Sequence, residues 1–191
     1  MVNRFSGLTD NMSEGEIRQR LSTFISDELR AEFLENCLRK KLGDSVRKNV
    51  HIALAQIYEK KRWYGNASRN ITSALLCTNI YREKIELNMK LGKLNLLDDK
   101  HILSRDAFKM AMDIANSEEK EKLSNEVKNI YLNGAKSLEE KGKLSRAVSI
   151  YEYSLDLLNE DERIKAKQRL MILYEKLGRI KDFMRLKREL M

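Results

Sequence analysis

The sequence predicts an all-α chain of about ten helices paired into antiparallel hairpins, and three observations carry that prediction. Proline is absent and glycine occurs only eight times in 191 residues, so little in the chain forces a helix to break. Apolar residues recur at i, i+4, i+7 and i+8 rather than in strict alternation. One such pattern also returns about every forty residues: Ala147, Tyr151, Ser154 and Leu155 repeat the offsets of Ala107, Ala111, Ile114 and Ala115, and of Ala67, Ile71, Ala74 and Leu75. A fixed interval of this size marks a chain built from repeated units that each pack on their neighbours.

Taken in order, residues 1–12 are polar and read as a flexible N-terminal arm, with residues 13–191 as one domain of five hairpins at about 13–42, 44–79, 80–116, 117–158 and 159–191. Ser13 and Glu16 form a capping box for a helix expected to bury Ile17, Leu21, Phe24 and Ile25. Asp27 is the expected cap of a second helix containing Leu29, Phe33, Leu34, Cys37 and Leu38. Gly43-Asp44 breaks the helix, and Val46 to Lys61 follows with Val50, Leu54, Ile57 and Tyr58 inward and a turn at Trp63-Tyr64-Gly65. Ile80 to Leu97 opens the third hairpin through Ile85, Leu91, Leu94 and Leu97. Its turn, Asp98-Asp99-Lys100, reads as about three residues longer than the others, because Gly92 to Ala107 spans fifteen positions where Ala55 to Ala67 and Ala135 to Ala147 span twelve. Ser117 caps a long helix to about Lys141. Asn159 to Leu177 ends at Gly178, and the last helix places Ile180, Phe183, Leu186 and Leu190 on one side.

The charge is +8 with a pI near 9.4, compatible with an acidic protein surface or a nucleic acid. Residues 61–110 and 161–191 each hold ten basic against five acidic side chains, whereas 111–160 holds seven against ten. Cys37 and Cys77 fall within helices and read as reduced core thiols. No signal-like run and no stretch near the roughly 18 apolar residues of a membrane span occurs, so a cytoplasmic protein without a membrane partner is expected. His51 and His101 are the only histidines, and neither belongs to a His-x3-His or Cys-x2-Cys pattern. With no phosphate loop, nucleophile elbow or dinucleotide fingerprint either, the expectation is no catalytic residue, no metal and no cofactor.

Leu54-Ala55, Tyr58, Tyr64, Ala67, Ile71 and Ala74, together with Gly134-Ala135, Leu138, Gly142, Leu144, Ala147, Tyr151 and Leu155, resemble the tetratricopeptide repeat, over roughly residues 46–191. Two copies depart from the pattern: Asn95 stands at the aromatic position of one, and Phe183 at the alanine position of another. The resemblance implies a right-handed α-solenoid whose inner helices line a concave groove. Its register assigns to that groove Asn49, Ile52, Gln56, Glu59 and Lys60; Glu86, Met89 and Lys93; Asn129, Leu132, Lys136 and Glu139; and Lys165, Gln168 and Ile172.

The function expected on this basis is a non-enzymatic adaptor or scaffold that binds another protein, as an extended peptide or a helix segment, acidic where lysines face it. The paired lysine and asparagine clamp that some members use for a terminal carboxylate is not reproduced. The alternative is an RNA- or ribosome-associated protein contacting phosphates through Arg62, Trp63 and Arg69 and through Arg179, Lys181, Arg185, Lys187 and Arg188. The apolar side of the last helix is, beside the groove, the other candidate docking face, for a partner protein or for a second copy of the chain.

Overall fold

The computed structural model describes residues 7–190, and these residues hold ten α-helices, one 3-10 turn and no strand. The chain divides into two compact units, Met1–Ile114 and Ala115–Met191. The first unit contains α1 (Glu14–Thr23), α2 (Asp27–Leu38), α3 (Asp44–Lys60), α4 (Tyr64–Leu76), α5 (Tyr81–Leu97) and α6 (His101–Ile114). In it α3 pairs with α4 and α5 with α6, while α4 packs on α5 and α2 on α3. The second contains α7 (Ser117–Glu140), α8 (Leu144–Ser154), the 3-10 turn Leu155–Leu157, α9 (Glu160–Lys176) and α10 (Ile180–Glu189). There α7 pairs with α8 and α9 with α10, and α8 packs on α9. Each unit is thus a run of tetratricopeptide-like helix hairpins.

Small residues set how closely the paired helices approach. Ala55 and Ala67 in the α3–α4 hairpin, and Ala135 and Ala147 in the α7–α8 hairpin, are all fully buried. In the α5–α6 hairpin Gly92 takes the first of these positions, and a Cβ there would lie 2.4 Å from Cε1 of Phe108. The second position belongs to Ser104, fully buried, whose hydroxyl donates to the Gly92 carbonyl at 2.8 Å. Gly92 and Ser104 are twelve residues apart, as in the other hairpins, and α6 begins nine residues after Gly92 just as α4 begins nine after Ala55 and α8 nine after Ala135. The three-residue insertion expected at Asp98-Asp99-Lys100 is therefore absent. A serine, rather than the alanine three residues on, occupies the crossing.

The turns within the α3–α4, α5–α6, α7–α8 and α9–α10 hairpins close in the same way. The residue at the left-handed position is Arg62, Asp99, Gly142 and Gly178 in turn, with φ of 60°, 59°, 70° and 68°. The next amide reaches back to a carbonyl five residues earlier: Trp63 to Tyr58 at 2.8 Å, Lys100 to Asn95 at 2.9 Å, Lys143 to Leu138 at 2.9 Å and Arg179 to Tyr174 at 2.8 Å. This is the Schellman closure, which satisfies carbonyls that a helix end leaves unbonded. Gly65, which the sequence suggests as part of the α3–α4 turn, lies instead in the first turn of α4.

Alternate helices within each unit are held in register by a repeated pair of ion pairs. Lys48 on α3 meets Glu83 on α5 at 2.5 Å, and Glu59 on α3 meets Lys90 on α5 at 3.1 Å. In the second unit Lys128 on α7 meets Glu162 on α9 at 2.9 Å, and Glu139 on α7 meets Arg169 on α9 with Nε to Oε2 at 2.9 Å. Glu59 and Glu139, assigned by sequence register to a ligand groove, are thus engaged between helices.

Helix starts follow the sequence with small shifts. Ser13 and Glu16 form the expected capping box, and Asn159 forms one with Glu162. The caps of α2 and α7 are Ser26 and Asn116, each one residue before the expected Asp27 and Ser117. Of the expected arm, residues 1–6 lie outside the described residues. Residues 7–12 run against the first unit: Met12 is buried, the Asn11 amide donates to the Lys41 carbonyl at 2.7 Å, and the Lys41 amide donates to Asp10 at 3.0 Å. Ile25, expected inside, falls in the α1–α2 connection and is 97% exposed.

Two substitutions separate crowding from backbone strain. Gly142→Ala adds a Cβ into open space at a positive φ, so it should cost about 1 kcal/mol from backbone conformation alone. Gly92→Ala should cost about 2 kcal/mol in spite of alanine's better helix propensity, because the Phe108 ring must move, and Phe108→Leu in that background should recover part of the loss. Urea unfolding midpoints measure both.

A second expectation concerns pH. Lys48, and next the Thr78 hydroxyl, hold the Glu83 carboxyl below its ordinary value of 4.5. A lowered folded-state pKa adds stability that is present above that ordinary value and lost as pH falls through the lowered one. Lys48→Met should therefore be less stable than the parent at neutral pH, with the two stability–pH curves converging as Glu83 protonates. Parallel curves would disprove the linkage.

Candidate functional site

A concavity of the first unit lies between α1 and α3, a cleft of about 330 Å³ lined by the apolar Ile17, Leu21, Leu34, Val46, Val50 and Ala53. Three of the residues chosen from sequence register, Asn49, Ile52 and Gln56, stand on its α3 wall. Gln56 also borders a neighbouring cleft of about 290 Å³, which Lys60 lines together with Asp27 and Arg30. The register is legible because these four positions are three or four residues apart and so form one stripe of a helix.

The polar groups at the rim are ordered rather than loose. The Asn49 amide donates to Glu14 at 2.6 Å, and Glu14 also accepts from Arg18 at 2.7 Å. This links α1 to α3 across the top of the cleft and leaves Ile52 and the exposed Gln56 facing its interior. The opposite wall comes from α1, whose Ile17 and Leu21 the sequence marks as core. Sequence periodicity identifies an apolar face but not a gap beside it.

The other groove positions divide. Met89 is only 5% exposed and packs between helices, so it does not present a ligand contact. Lys93 and Glu86 are exposed on α5. In the second unit Asn129, Lys136, Lys165 and Gln168 are exposed, Ile172 is exposed on α9, and Leu132 is half-buried.

The basic residues assigned to a nucleic-acid surface also divide, for electrostatic reasons. Trp63 stacks on Tyr58 at 6.0 Å between ring centroids, with the Lys61 ammonium 5.3 Å from its ring. Arg69 bonds Asn66 at 2.7 Å, and Arg62 holds the left-handed turn position. Burial, and then a hydrogen bond from its hydroxyl to Glu35, pushes the Tyr58 phenol up to about 12. In the second unit Arg179 occupies the place that Trp63 has in the first, five residues after a tyrosine. Its guanidinium lies 4.6 Å from the Tyr174 ring and pairs with Asp182 at 2.7 Å and Glu152 at 3.4 Å. The Tyr174 hydroxyl donates to Glu152 at 2.6 Å, and burial, followed by that bond, raises its pKa. Arg185 pairs with Asp182 at 3.2 Å. Lys181, Lys187 and Arg188 are exposed and meet no carboxylate among the described residues.

His51 bonds the Asn70 side chain at 2.9 Å. Among the described residues no cluster of three histidine, cysteine or acidic side chains is placed to hold a metal, and no helix is long and apolar enough to cross a membrane. Cys37 is buried, its thiol pushed up to about 11 by that burial, and Cys77 is half-buried at the end of α4.

No protein-family model and no curated protein matches the sequence. Among solved structures the chain is similar to a MamA protein at 15% identity, with a TM-score of 0.45 over 93% of this chain and 87% of that one. It is also similar to BtubC (BKLC) from P. vanneervenii at 15% identity, with a TM-score of 0.45 over 92% of this chain and 80% of that one.

The division of the basic residues has a measurable consequence. Arg179→Ala should lower stability by about 1 kcal/mol, allowing for solvent screening of its ion pairs, whereas Lys187→Ala should stay within about 0.5 kcal/mol of the parent. Chemical denaturation followed by helix dichroism distinguishes them, and equal effects would remove Arg179 from the structural framework.

Proposed function

We propose that this protein is a non-enzymatic interaction scaffold that takes an apolar-faced segment of another protein into the cleft between α1 and α3. The observation that carries this reading is the coincidence of the sequence-derived stripe Asn49, Ile52 and Gln56 with a cleft lined by apolar side chains. An apolar lining supplies the favourable burial, about 25 cal/mol per Å² covered, and amides at the rim bond the backbone of an entering segment. The fixed rim between Asn49 and Glu14 supports it too, because a wall already ordered loses less entropy on binding. In this proposal the exposed Asn129, Lys136, Lys165 and Gln168 form a separate contact surface belonging to the second unit alone.

A photo-crosslinking amino acid at Gln56, compared with one at exposed Lys109 on α6, tests the reading in cells. A partner should be captured from position 56 and not from 109, and Ile52→Asp should lower that capture at least tenfold while helix content is unchanged. Equal capture from both positions, or capture indifferent to Ile52→Asp, would sink the cleft as the binding site.

A further inference from the structure

Helix α10 turns Leu186, Phe183 and Leu190 inward and leaves a second apolar pair outside: Ile180 is 60% exposed and Met184 48%. These two lie one turn apart on one stripe, and Arg188 continues it. Around them stand Lys181, Lys187 and Arg188, all exposed and without a carboxylate partner among the described residues. The acidic side chains of α10 cannot compensate them. Asp182 is held by Arg179 and Arg185, and Glu189 by Lys167 at 2.9 Å.

From this arrangement we propose that the outer face of α10 docks an acidic amphipathic helix of a partner protein, one that presents two apolar side chains a turn apart with glutamate or aspartate on both sides. The apolar pair buries against the partner's, and the three cations gain counter-charges they lack in the free protein. A second copy of this chain is the poorer occupant, since a two-fold pairing of the face on itself sets Lys181, Lys187 and Arg188 against their own like charges. RNA is poorer as well. The centre of the face is aliphatic, with no aromatic side chain for a base to stack on, and two of the helix's arginine neighbours are already neutralised by Asp182. This surface is independent of the α1–α3 cleft, so the chain would have two separate docking points.

The test uses the full chain and a fluorescently labelled synthetic helix carrying leucines at i and i+4 flanked by glutamates, read by anisotropy. Binding should fall at least tenfold with Lys181→Glu/Lys187→Glu and with Met184→Gln, weaken steeply with salt, vanish when the peptide's glutamates become lysines, and be untouched by Ile52→Asp. Peptide binding unchanged by the α10 variants would overturn the proposal. So would tighter binding of a single-stranded RNA or of anionic lipid vesicles lost with the same variants, or self-association in sedimentation equilibrium abolished by Met184→Gln. Loss with Ile52→Asp alone would assign the peptide to the cleft and overturn the α10 site while leaving the cleft intact.

Discussion

Everything in these units depends on how closely two helices of a hairpin approach, and that distance is set by side chains of almost no size. Ala55 and Ala67, Gly92 and Ser104, and Ala135 and Ala147 are buried in the paired helices of each hairpin, and at Gly92 the Phe108 ring stands where a Cβ would be. Close-packed interiors respond steeply to added volume, so one extra methyl at such a crossing displaces a ring instead of filling a space. Successive hairpins are then joined by longer side chains, as in the Lys48–Glu83 and Lys128–Glu162 pairs.

Those ion pairs add little stability apiece, because at least one partner of each reaches solvent and water screens the attraction. Their contribution is registration. The same four positions recur in both units, two pairs joining α3 to α5 and two joining α7 to α9, and each fixes how far one helix slides along its neighbour. In the first unit that registration fixes the height of Asn49, Ile52 and Gln56 on α3, with the Asn49–Glu14 bond tying the stripe to α1. A cleft with such walls is preorganised, and preorganisation is what lets a shallow apolar surface bind selectively.

Much of this was legible in the sequence, since the signals are local or periodic. The all-α class, the hairpin order, the Ser13 capping box and the Ala55, Ala67, Ala135 and Ala147 crossings all follow from spacing. Other features depend on partners distant in sequence. Nothing local says that Ser104 rather than Ala107 meets Gly92, because a serine becomes acceptable in a tight crossing only when a carbonyl stands ready for its hydroxyl. Nor does a basic run say which of its members are already paired: Arg179 and Arg185 share Asp182, while Lys181 and Lys187 do not. Register alone puts Met89 in the groove, yet it is buried because α5 has neighbours on more than one side.

The stacking of Trp63 on Tyr58 carries an optical consequence. Trp63 is the only tryptophan in the chain, half-exposed, fixed to a single ring and approached by the Lys61 ammonium. Its emission is therefore a local signal for one turn, the join between α3 and α4, whereas far-ultraviolet dichroism sums over every helix of both units. Curves from the two probes superimpose only when the whole chain loses its structure in one cooperative step, and the interval between them otherwise measures how independently the units hold together.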